Sequence, residues 1–204
     1  MQSKGMLVII SGPSGSGKGT VVKRLDAAAN YALSISVTTR PPREDEVDGR
    51  DYFFCTVEEF TAKRDAGELL EHALFCGNYY GTPRTYVSEQ IDKGKAVVLE
   101  IDVNGALQVK DKFPDAVLIF LIPPTMRELE KRLINRNTED RESIEDRLRR
   151  AHEEMQLIDK YDYLVVNDKV EEAVNGINTI VNAESLKPFR NMAITALFKN
   201  ISGQ

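Results

Sequence analysis

The stretch LVIISGPSGSGKGTVVKRL, from Leu7 to Leu25, decides the fold of this chain. An apolar run over residues 7–11 leads into a loop with four glycines in the nine positions from Gly12 to Thr20, and a helical pattern follows. This order is typical of G-x-x-x-x-G-K-[ST], a loop whose backbone N–H groups surround a phosphate. Because the loop joins a buried strand to a helix, it predicts an α/β fold that binds a nucleotide.

The glycines of this loop are expected to bind the phosphates through the backbone, in conformations that a Cβ would hinder. A glycine-rich turn without a ligand is the alternative, but Lys18 lies in register to reach the outer phosphates, between the predicted strand and helix. We therefore predict that the whole loop binds phosphate: Gly12, Pro13, Ser14, Gly15, Ser16, Gly17, Lys18, Gly19 and Thr20.

The loop departs from the pattern at Gly19, where Ser or Thr would hold magnesium, and Thr20 comes one position late. Magnesium usually keeps several water ligands, so this glycine does not exclude the metal. It predicts that phosphates and water hold the ion, with Glu100 and Asp102 at the end of a later strand as carboxylates that bind those waters. An ordinary polar strand end is the alternative for these two residues.

Composition and charge exclude several classes of partner. The 204 residues carry 27 Lys and Arg against 32 Asp and Glu, a formal net charge of −5, which disfavours general nucleic-acid binding. The two cysteines show no metal or disulfide pattern. No apolar run approaches membrane-spanning length, and the start does not resemble a signal peptide. We expect a cytoplasmic protein with no nucleic-acid or membrane partner.

Apolar runs that alternate with helical patterns predict a mainly parallel sheet covered on both sides by helices. These runs are residues 7–11, 96–102, 116–124 and 162–168. A region of short polar and aromatic runs, residues 34–81, interrupts the alternation, and we interpret it as an inserted unit with antiparallel strands. Thr56 and Glu59 predict a capped helix inside it.

A second interruption follows Pro124, where Thr125 and Glu128 are spaced to cap another helix. We expect the buried face of that helix to consist of Met126, Leu129 and Leu133. Another helix is predicted after it, with an apolar face formed by Ile144, Leu148, Ala151, Met155 and Ile158.

The insert carries a second cluster of phosphate-binding side chains. Arg40 and Arg43 are three residues apart, a spacing at which two guanidinium groups can converge on one phosphate, and Tyr52 and Tyr80 can add hydroxyl donors. A solvated basic turn is the alternative. A second phosphate-binding cluster implies a second phosphorylated substrate, which favours a small-molecule kinase over a GTPase or an ATP-driven motor. The tetrapeptide DVNG at residues 102–105 matches the D-x-x-G of GTPases, but a match of four residues is weak.

Over residues 5–185 the chain resembles the guanylate kinase family. The matching motifs, in order, are SGPSGSGKGT (11–20), SVTTRPPR (36–43), DGRDYFF (48–54), LLEHALFCGNYYGTP (69–83), LEIDVNGA (99–106) and YLVVND (163–168). The resemblance implies a P-loop three-layer α/β sandwich with a small α+β GMP-binding insert and a helical lid. It implies a core of about residues 5–33, 83–124 and 159–188, an insert of about 34–82, a lid of about 125–158 and a tail of 189–204.

The same resemblance implies transfer of the ATP γ-phosphoryl group to GMP, and to dGMP, in purine nucleotide metabolism, with Mg²⁺ as cofactor. It assigns the GMP phosphate to Arg40, Arg43, Tyr52 and Tyr80, and guanine to Ser36, Glu71, Thr82 and Asp102. It assigns Arg136 and Arg147 to a lid over the ATP phosphates, and Asn167 and Asp168 to adenine. The catalytic residues it implies are Lys18, Arg40, Arg136 and Arg147.

Three positions depart from the commonest pattern of the family: Asn104, Asn137 and Glu100. Two alternatives stay open at this point. A non-catalytic module of the same fold would bind proteins instead of substrates, but the intact phosphate loop argues against it. A kinase for another nucleoside monophosphate would share the loop and lack the arginine and tyrosine motifs of the insert.

Overall fold

The computed structural model describes residues 4–25, 30–134 and 141–200, except for the side chains of residues 141–146 and 200. The strands are β1 (Met6–Ser11), β2 (Tyr31–Leu33), β3 (Val37–Thr38), β4 (Phe53–Phe54), β5 (Leu69–Phe75), β6 (Asn78–Pro83), β7 (Ala96–Glu100), β8 (Val117–Ile122) and β9 (Tyr163–Val166). The helices are α1 (Lys18–Leu25), α2 (Val57–Asp65), α3 (Arg84–Asp92), α4 (Val103–Lys112), α5 (Met126–Ile134), α6 (Arg141–Met155), α7 (Val170–Ser185) and α8 (Met192–Asn200).

The main sheet has five parallel strands in the order β2-β7-β1-β8-β9, as the apolar runs predict. β1 lies at its centre with all six residues buried, because helices cover both faces of a parallel sheet. Val21 of α1 and Ile177 of α7 pack on one face. Val87 of α3 and Val109 of α4 pack on the other. The three-layer α/β fold is thus confirmed.

The region between β2 and α3 forms a second sheet of four strands in the order β4-β3-β6-β5, with α2 packed against it. The expectation of antiparallel strands holds for β3–β6 and β5–β6 but is wrong for β3–β4, where Val37 and Phe53 pair in parallel. The long polar loop between these strands brings the chain back to run in the same direction. The capping box of α2 is confirmed, since Thr56 Oγ1 accepts from Glu59 N and Thr56 N donates to Glu59 Oε2.

Helices α5 and α6 follow β8. The predicted cap of α5 is confirmed, since Glu128 N donates to Thr125 Oγ1 over 3.1 Å. Leu129 and Leu133 are buried as expected, but Met126 is 36% exposed, because it lies in the first turn, before the helix packs against α6. Ile158 was wrongly placed on the α6 stripe: the helix ends at Met155, and a 3₁₀ turn (Ile158–Lys160) redirects the chain into β9.

The chain after α7 packs back against the main sheet. Arg190, 4% exposed, lies in a 3₁₀ turn (Pro188–Arg190) and donates Nη2 to the carbonyl of Asp115 over 2.8 Å. α8 then presents apolar side chains such as Leu197 and Phe198 at the surface. Within the described residues, no helix has the length and apolar character needed to cross a membrane.

Candidate active site

A cavity of about 350 Å³ opens where the carboxyl ends of the central strands face the insert. Ligands of open α/β sheets bind at this edge, because the loops after the strands converge there. The cavity brings together eleven residues that the sequence analysis singled out: Gly12, Ser14, Lys18, Ser36, Arg40, Arg43, Tyr52, Glu71, Tyr80, Glu100 and Asp102.

The phosphate loop has the backbone geometry that its glycines predict. Gly12, Gly15 and Gly17 have φ angles of 141°, 86° and 88°, in the region that other residues rarely adopt. α1 begins at Lys18, whose Nζ donates to the carbonyls of Gly12 and Pro13 over 2.6 and 3.1 Å. The loop therefore forms a concave backbone turn at a helix N-terminus, an arrangement that attracts anions.

A polar group inside this loop also suits an anion. Among the described residues, the Ser16 hydroxyl is buried and has no hydrogen-bond partner. Buried hydroxyls are normally paired, so an unpaired one beside a positive helix end is available to donate to a ligand oxygen. The remaining loop residues, Pro13, Gly15, Ser16, Gly17, Gly19 and Thr20, do not line the cavity.

Asn167, at the end of β9, supports the phosphate loop. Its side chain is 3% exposed and donates Nδ2 to the Ser16 carbonyl over 2.8 Å, while its own carbonyl accepts from Nη1 and Nη2 of Arg132. A Cβ on Gly17 would lie 2.4 Å from Asn167 Nδ2, so only glycine fits there. The neighbouring Asp168 is exposed. An adenine contact from either residue stays a prediction.

Arg40 lies at the insert end of the cavity, held on several sides. Its Nη2 is 2.8 Å from both carboxylate oxygens of Glu46, and its guanidinium carbon lies 5.4 Å from the ring centroid of Tyr52. Partial burial lowers the pKa of Arg40, but the hydrogen bonds and charge of Glu46, with smaller contributions from Tyr80, raise it above its usual value. The guanidinium is a fixed positive charge facing the cavity.

Two tyrosines accompany the arginines. The rings of Tyr52 and Tyr80 meet edge to face, with centroids 6.1 Å apart, and both line the cavity with Arg43. Burial, followed by the charge of Glu100, raises the pKa of Tyr52, so its hydroxyl stays protonated and can donate. Two guanidinium groups and two hydroxyls on one wall form a site suited to a phosphate.

A further part of the cavity wall carries a buried carboxylate. Glu71, on β5, is 3% exposed, and Thr82 on β6 donates Oγ1 to its Oε1 over 2.6 Å. Burial raises the pKa of Glu71 to about 7, the hydrogen bond from Thr82 opposes this rise, and the charge of Asp102 adds to it. A buried carboxylate with one oxygen facing other polar groups suits a ligand that offers neighbouring N–H donors.

The DVNG tetrapeptide (residues 102–105) has a structural role at this wall. Asp102 caps α4, accepting the Gly105 N–H on Oδ1 over 2.7 Å. A Cβ on Gly105 would lie 3.0 Å from Glu71 Oε2 and 3.2 Å from Asp102 Oδ1. Glycine at this position therefore leaves room for two carboxylates, and the likeness to a GTPase motif has a local packing reason.

The residues around Gly19 fit a magnesium ion held mainly by other ligands. Glu100 lines the cavity, and a Cβ on Gly19 would lie 3.5 Å from its Oε1. The described residues contain no cluster of three or more His, Cys, Asp or Glu that could hold a metal by itself. Carboxylates at the cavity floor can still bind the water ligands of an ion carried by phosphate oxygens.

Of the two predicted lid arginines, the structure describes Arg147, which lies on α6. Arg147 is half-buried on this helix and does not line the cavity, while Arg136 and Asn137 fall outside the described residues. Glu154 of α6 does line the cavity. Its burial raises its pKa, and the charge of Lys18 opposes that rise.

The sequence analysis missed several residues of this site. Glu46 and Glu154 lie in acidic stretches of ordinary composition, and no local pattern separates them from solvated surface carboxylates. Only the position of a charged partner could have identified them. Glu46 lies behind Arg40 and does not itself line the cavity, whereas Glu154 does, together with five further residues that were not predicted: Ser34, Asp51, Ala73, Phe75 and Ile101.

Comparison with known proteins agrees with this geometry. The guanylate kinase family model matches residues 4–184. The guanylate kinase of Clostridium acetobutylicum is 49% identical over 187 residues, 92% of this chain and 90% of the relative. That of Oceanobacillus iheyensis is 52% identical over 188 residues, 92% of this chain and 91% of the relative.

A solved structure is similar over the same extent. The crystal structure of guanylate kinase from Anaplasma phagocytophilum superposes with a TM-score of 0.79 at 36% identity, covering 93% of this chain and 91% of that one. The phosphate loop, the arginine and tyrosine wall and the buried carboxylate thus occur in a chain whose whole fold matches one family. The chain belongs to the guanylate kinase family.

Proposed function

We propose that this ATP:GMP phosphotransferase binds GMP across the cavity and ATP at the phosphate loop, and transfers the γ-phosphoryl group directly between them, giving ADP and GDP. One observation carries the assignment of GMP. The arginine and tyrosine wall, the buried Glu71 and Lys18 all line one cavity. A nucleoside monophosphate with a hydrogen-bonding base has matching groups at its two ends.

The choice of guanine rests on hydrogen-bond chemistry at Glu71. Guanine presents adjacent N1–H and 2-amino donors, which one carboxylate can accept together. Adenine has an acceptor at N1 and no 2-amino group, so it would leave the buried carboxylate unpaired. A site built in this way can discriminate by ~10⁴-fold or more. We assign Ser36, Thr82 and Asp102 to recognition of the same base. We also propose that dGMP is a second phosphoryl acceptor.

The acceptor phosphate needs no general base, because it is already an anion at neutral pH. Catalysis of phosphoryl transfer is mainly positioning and charge stabilisation. We assign the acceptor phosphate to Arg40, Arg43, Tyr52 and Tyr80, and the donor phosphates to Lys18 and the loop. Arg136 and Arg147 would stabilise the migrating group from the lid.

Magnesium is part of this proposal, with Glu100 and Asp102 binding its water ligands. When bound, the ion would neutralise charge on the donor phosphates. Lys18 would exchange its bonds to the Gly12 and Pro13 carbonyls for phosphate oxygens. We further propose that the insert and the lid close on the core, with boundaries near residues 34, 82, 125 and 158, which would exclude water.

We place the reaction in purine nucleotide metabolism in the cytoplasm. Cys55 and Cys76 are both unpaired, which suits a reducing compartment.

An ADP-release assay with ATP, Mg²⁺ and GMP, dGMP, AMP, CMP or UMP tests the proposal. We expect turnover with GMP and dGMP, and at least ~10³-fold lower kcat/KM with AMP. Equal turnover with another monophosphate would contradict the role of Glu71. No turnover with any acceptor would favour a protein-binding module of the same fold.

A further inference from the structure

Glu46 is a carboxylate next to the phosphate-binding wall that the assignments above leave unused. Each of its two oxygens lies 2.8 Å from Nη2 of Arg40. Its Oε2 also accepts the backbone N–H of Arg43 over 2.8 Å. Its Oε1 lies 3.8 Å from Nη1 of Arg43, so one carboxylate contacts the side chains of both arginines assigned to the acceptor phosphate and also the backbone of the second.

This ion pair differs from an ordinary surface pair. The Arg40 and Glu46 side chains are only 15% and 16% exposed, whereas Arg43 is 77% exposed. Exposed pairs contribute little, because both partners are mobile and well solvated. A mostly buried pair with additional hydrogen bonds fixes the geometry of both groups. The Arg40–Glu46 contact is therefore suited to orient the guanidinium.

The remaining contacts of Arg40 restrict it further. Nη1 donates to the Pro41 carbonyl over 2.8 Å, and the rings of Tyr52 and Phe54 lie 5.4 and 6.0 Å from the guanidinium carbon. A guanidinium has five N–H donors in one plane. Glu46 binds Nη2 and the Pro41 carbonyl binds Nη1, so only the N–H groups that these two partners do not use are available to a ligand.

We propose that Glu46 is a positioning residue for the acceptor phosphate. Glu46 binds Nη2 of Arg40 and holds the guanidinium plane in the cavity wall. The N–H donors of Arg40 that Glu46 does not bind are then aligned for the phosphate before the substrate arrives. Its bond to the Arg43 N–H fixes the loop between the two arginines. This role rests on the proposed function, because it presupposes that Arg40 binds the phosphate of GMP.

A competing role has the opposite consequence for binding. If the Glu46 carboxylate occupied the place of the phosphate on Arg40, GMP would have to displace this carboxylate in order to bind. Removal of the Glu46 charge would then improve GMP binding. A positioning role requires that its removal weaken GMP binding, because a mobile guanidinium loses entropy when it binds the phosphate. The sign of the change in the KM for GMP therefore separates the two roles.

The test compares Glu46→Gln with Glu44→Gln, a matched change at an exposed carboxylate of the same loop. Steady-state kinetics with varied GMP and with varied ATP give both KM values. We expect Glu46→Gln to raise the KM for GMP about 10-fold while the KM for ATP changes less than about 2-fold. Glu44→Gln should leave both within about 2-fold of the parent protein.

A double-mutant cycle shows whether Glu46 acts through Arg40. In an Arg40→Lys background, Glu46→Gln should lower kcat/KM for GMP by less than about 2-fold, since the group it positions is gone. Glu46→Asp, which keeps the charge on a shorter side chain, should recover part of the GMP affinity. This second variant keeps the test decisive if Glu46→Gln does not fold.

Three outcomes would overturn the role. A lower KM for GMP in Glu46→Gln would identify a phosphate substitute. Equal effects of Glu46→Gln and Glu44→Gln, in a protein that phosphorylates GMP, would remove Glu46 from the mechanism and leave the proposed reaction intact. Absence of GMP-dependent ADP release by the parent protein would overturn the reaction itself, and the role of Glu46 with it.

Discussion

The phosphate loop and the insert bind the same chemical group with different parts of the chain. The loop offers backbone N–H groups from one contiguous stretch, residues 12–20, in which Pro13 has no N–H, and it needs glycines at φ angles of 141°, 86° and 88°. The insert wall offers side chains of Arg40, Arg43, Tyr52 and Tyr80, gathered from separate strands and loops. A loop that binds through its backbone is a local feature, whereas a side-chain site depends on tertiary packing.

This difference predicts how each site fails. A side chain added to the phosphate loop distorts the backbone that binds the phosphates. Such a change should therefore weaken ATP binding and slow catalysis with every acceptor. A side chain truncated in the insert removes one contact and should affect the acceptor nucleotide alone. Four substitutions test this contrast, beginning with the largest expected effect.

Gly17→Ala should be the most damaging change. The residue has a φ of 88°, and the added Cβ would lie 2.4 Å from Asn167 Nδ2, so the backbone is strained and either the loop or the Asn167 side chain that supports it must shift. We expect kcat/KM to fall on the order of 10³-fold with respect to both ATP and GMP. Steady-state kinetics and ATP titration measure this, and a loss confined to GMP would refute the contrast between the sites.

Arg40→Ala should affect only one substrate. Removal of the guanidinium breaks the mostly buried ion pair with Glu46 and takes a fixed cation from the phosphate wall. We expect kcat/KM for GMP to fall on the order of 10²-fold, since charge-assisted hydrogen bonds of this kind contribute a few kcal/mol. ATP binding, followed by titration, should stay nearly unchanged. Equal losses for both substrates would refute the assignment.

Glu71→Gln should alter selectivity. Glutamine keeps the shape and one acceptor oxygen but adds an NH₂ donor, which faces the donors of guanine unfavourably. We expect the ratio of kcat/KM values for GMP and AMP to fall about 10-fold or more. The substrate panel measures this ratio, and unchanged discrimination would exclude Glu71 from base recognition.

The same variant should show a pH-dependent change in stability. The pKa of Glu71 is raised to about 7 in the folded protein, so the folded state loses stability as pH rises from the unfolded pKa, about 4.5, to about 7. Glu71→Gln carries no ionisable group there. We expect its thermal midpoint to exceed that of the parent protein at pH 8 by more than at pH 5. A pH-independent difference would contradict the raised pKa.

Gly19→Ser should have the smallest effect. Unlike Gly17, Gly19 has space for a side chain, since its Cβ would lie in ordinary contact with Glu100, 3.5 Å from Oε1. We expect kcat/KM for GMP to stay within about 3-fold of the parent value. Kinetics at varied Mg²⁺ check this. A rise by orders of magnitude would show that the glycine impairs a magnesium site.

The sequence predicted the main sheet well for a local reason. Strands buried on both faces must be apolar throughout, so β1, β7 and β8 are visible as continuous apolar runs. The edge strand β9 also shows an apolar run, although its Leu164 and Val166 are exposed. The three-residue edge strand β2 is too short to show a period, and the sequence analysis missed it. The parallel β3–β4 pair was also missed, because two-residue strands carry no register information of their own.

The candidate site divides in the same way. The phosphate loop is a contiguous pattern, and Lys18 and the glycines could be assigned from spacing alone. Arg40 could be singled out by its spacing from Arg43, and Asp102 by its place at the end of an apolar run, whereas Glu71 became a candidate only through a family resemblance. Glu46 and Glu154 could not be predicted, because a carboxylate in an acidic stretch has the same local sequence pattern whether it is solvated or paired with a cation.

By itself, the sequence determined the fold class and the phosphate loop, because both depend on interactions between neighbours along the chain. Only the tertiary structure decided the burial and raised pKa of Glu71, the ion pair of Arg40 with Glu46 and the support of the loop by Asn167. Those properties depend on which distant groups displace water from a side chain and which offer it a partner. Neither follows from composition or spacing.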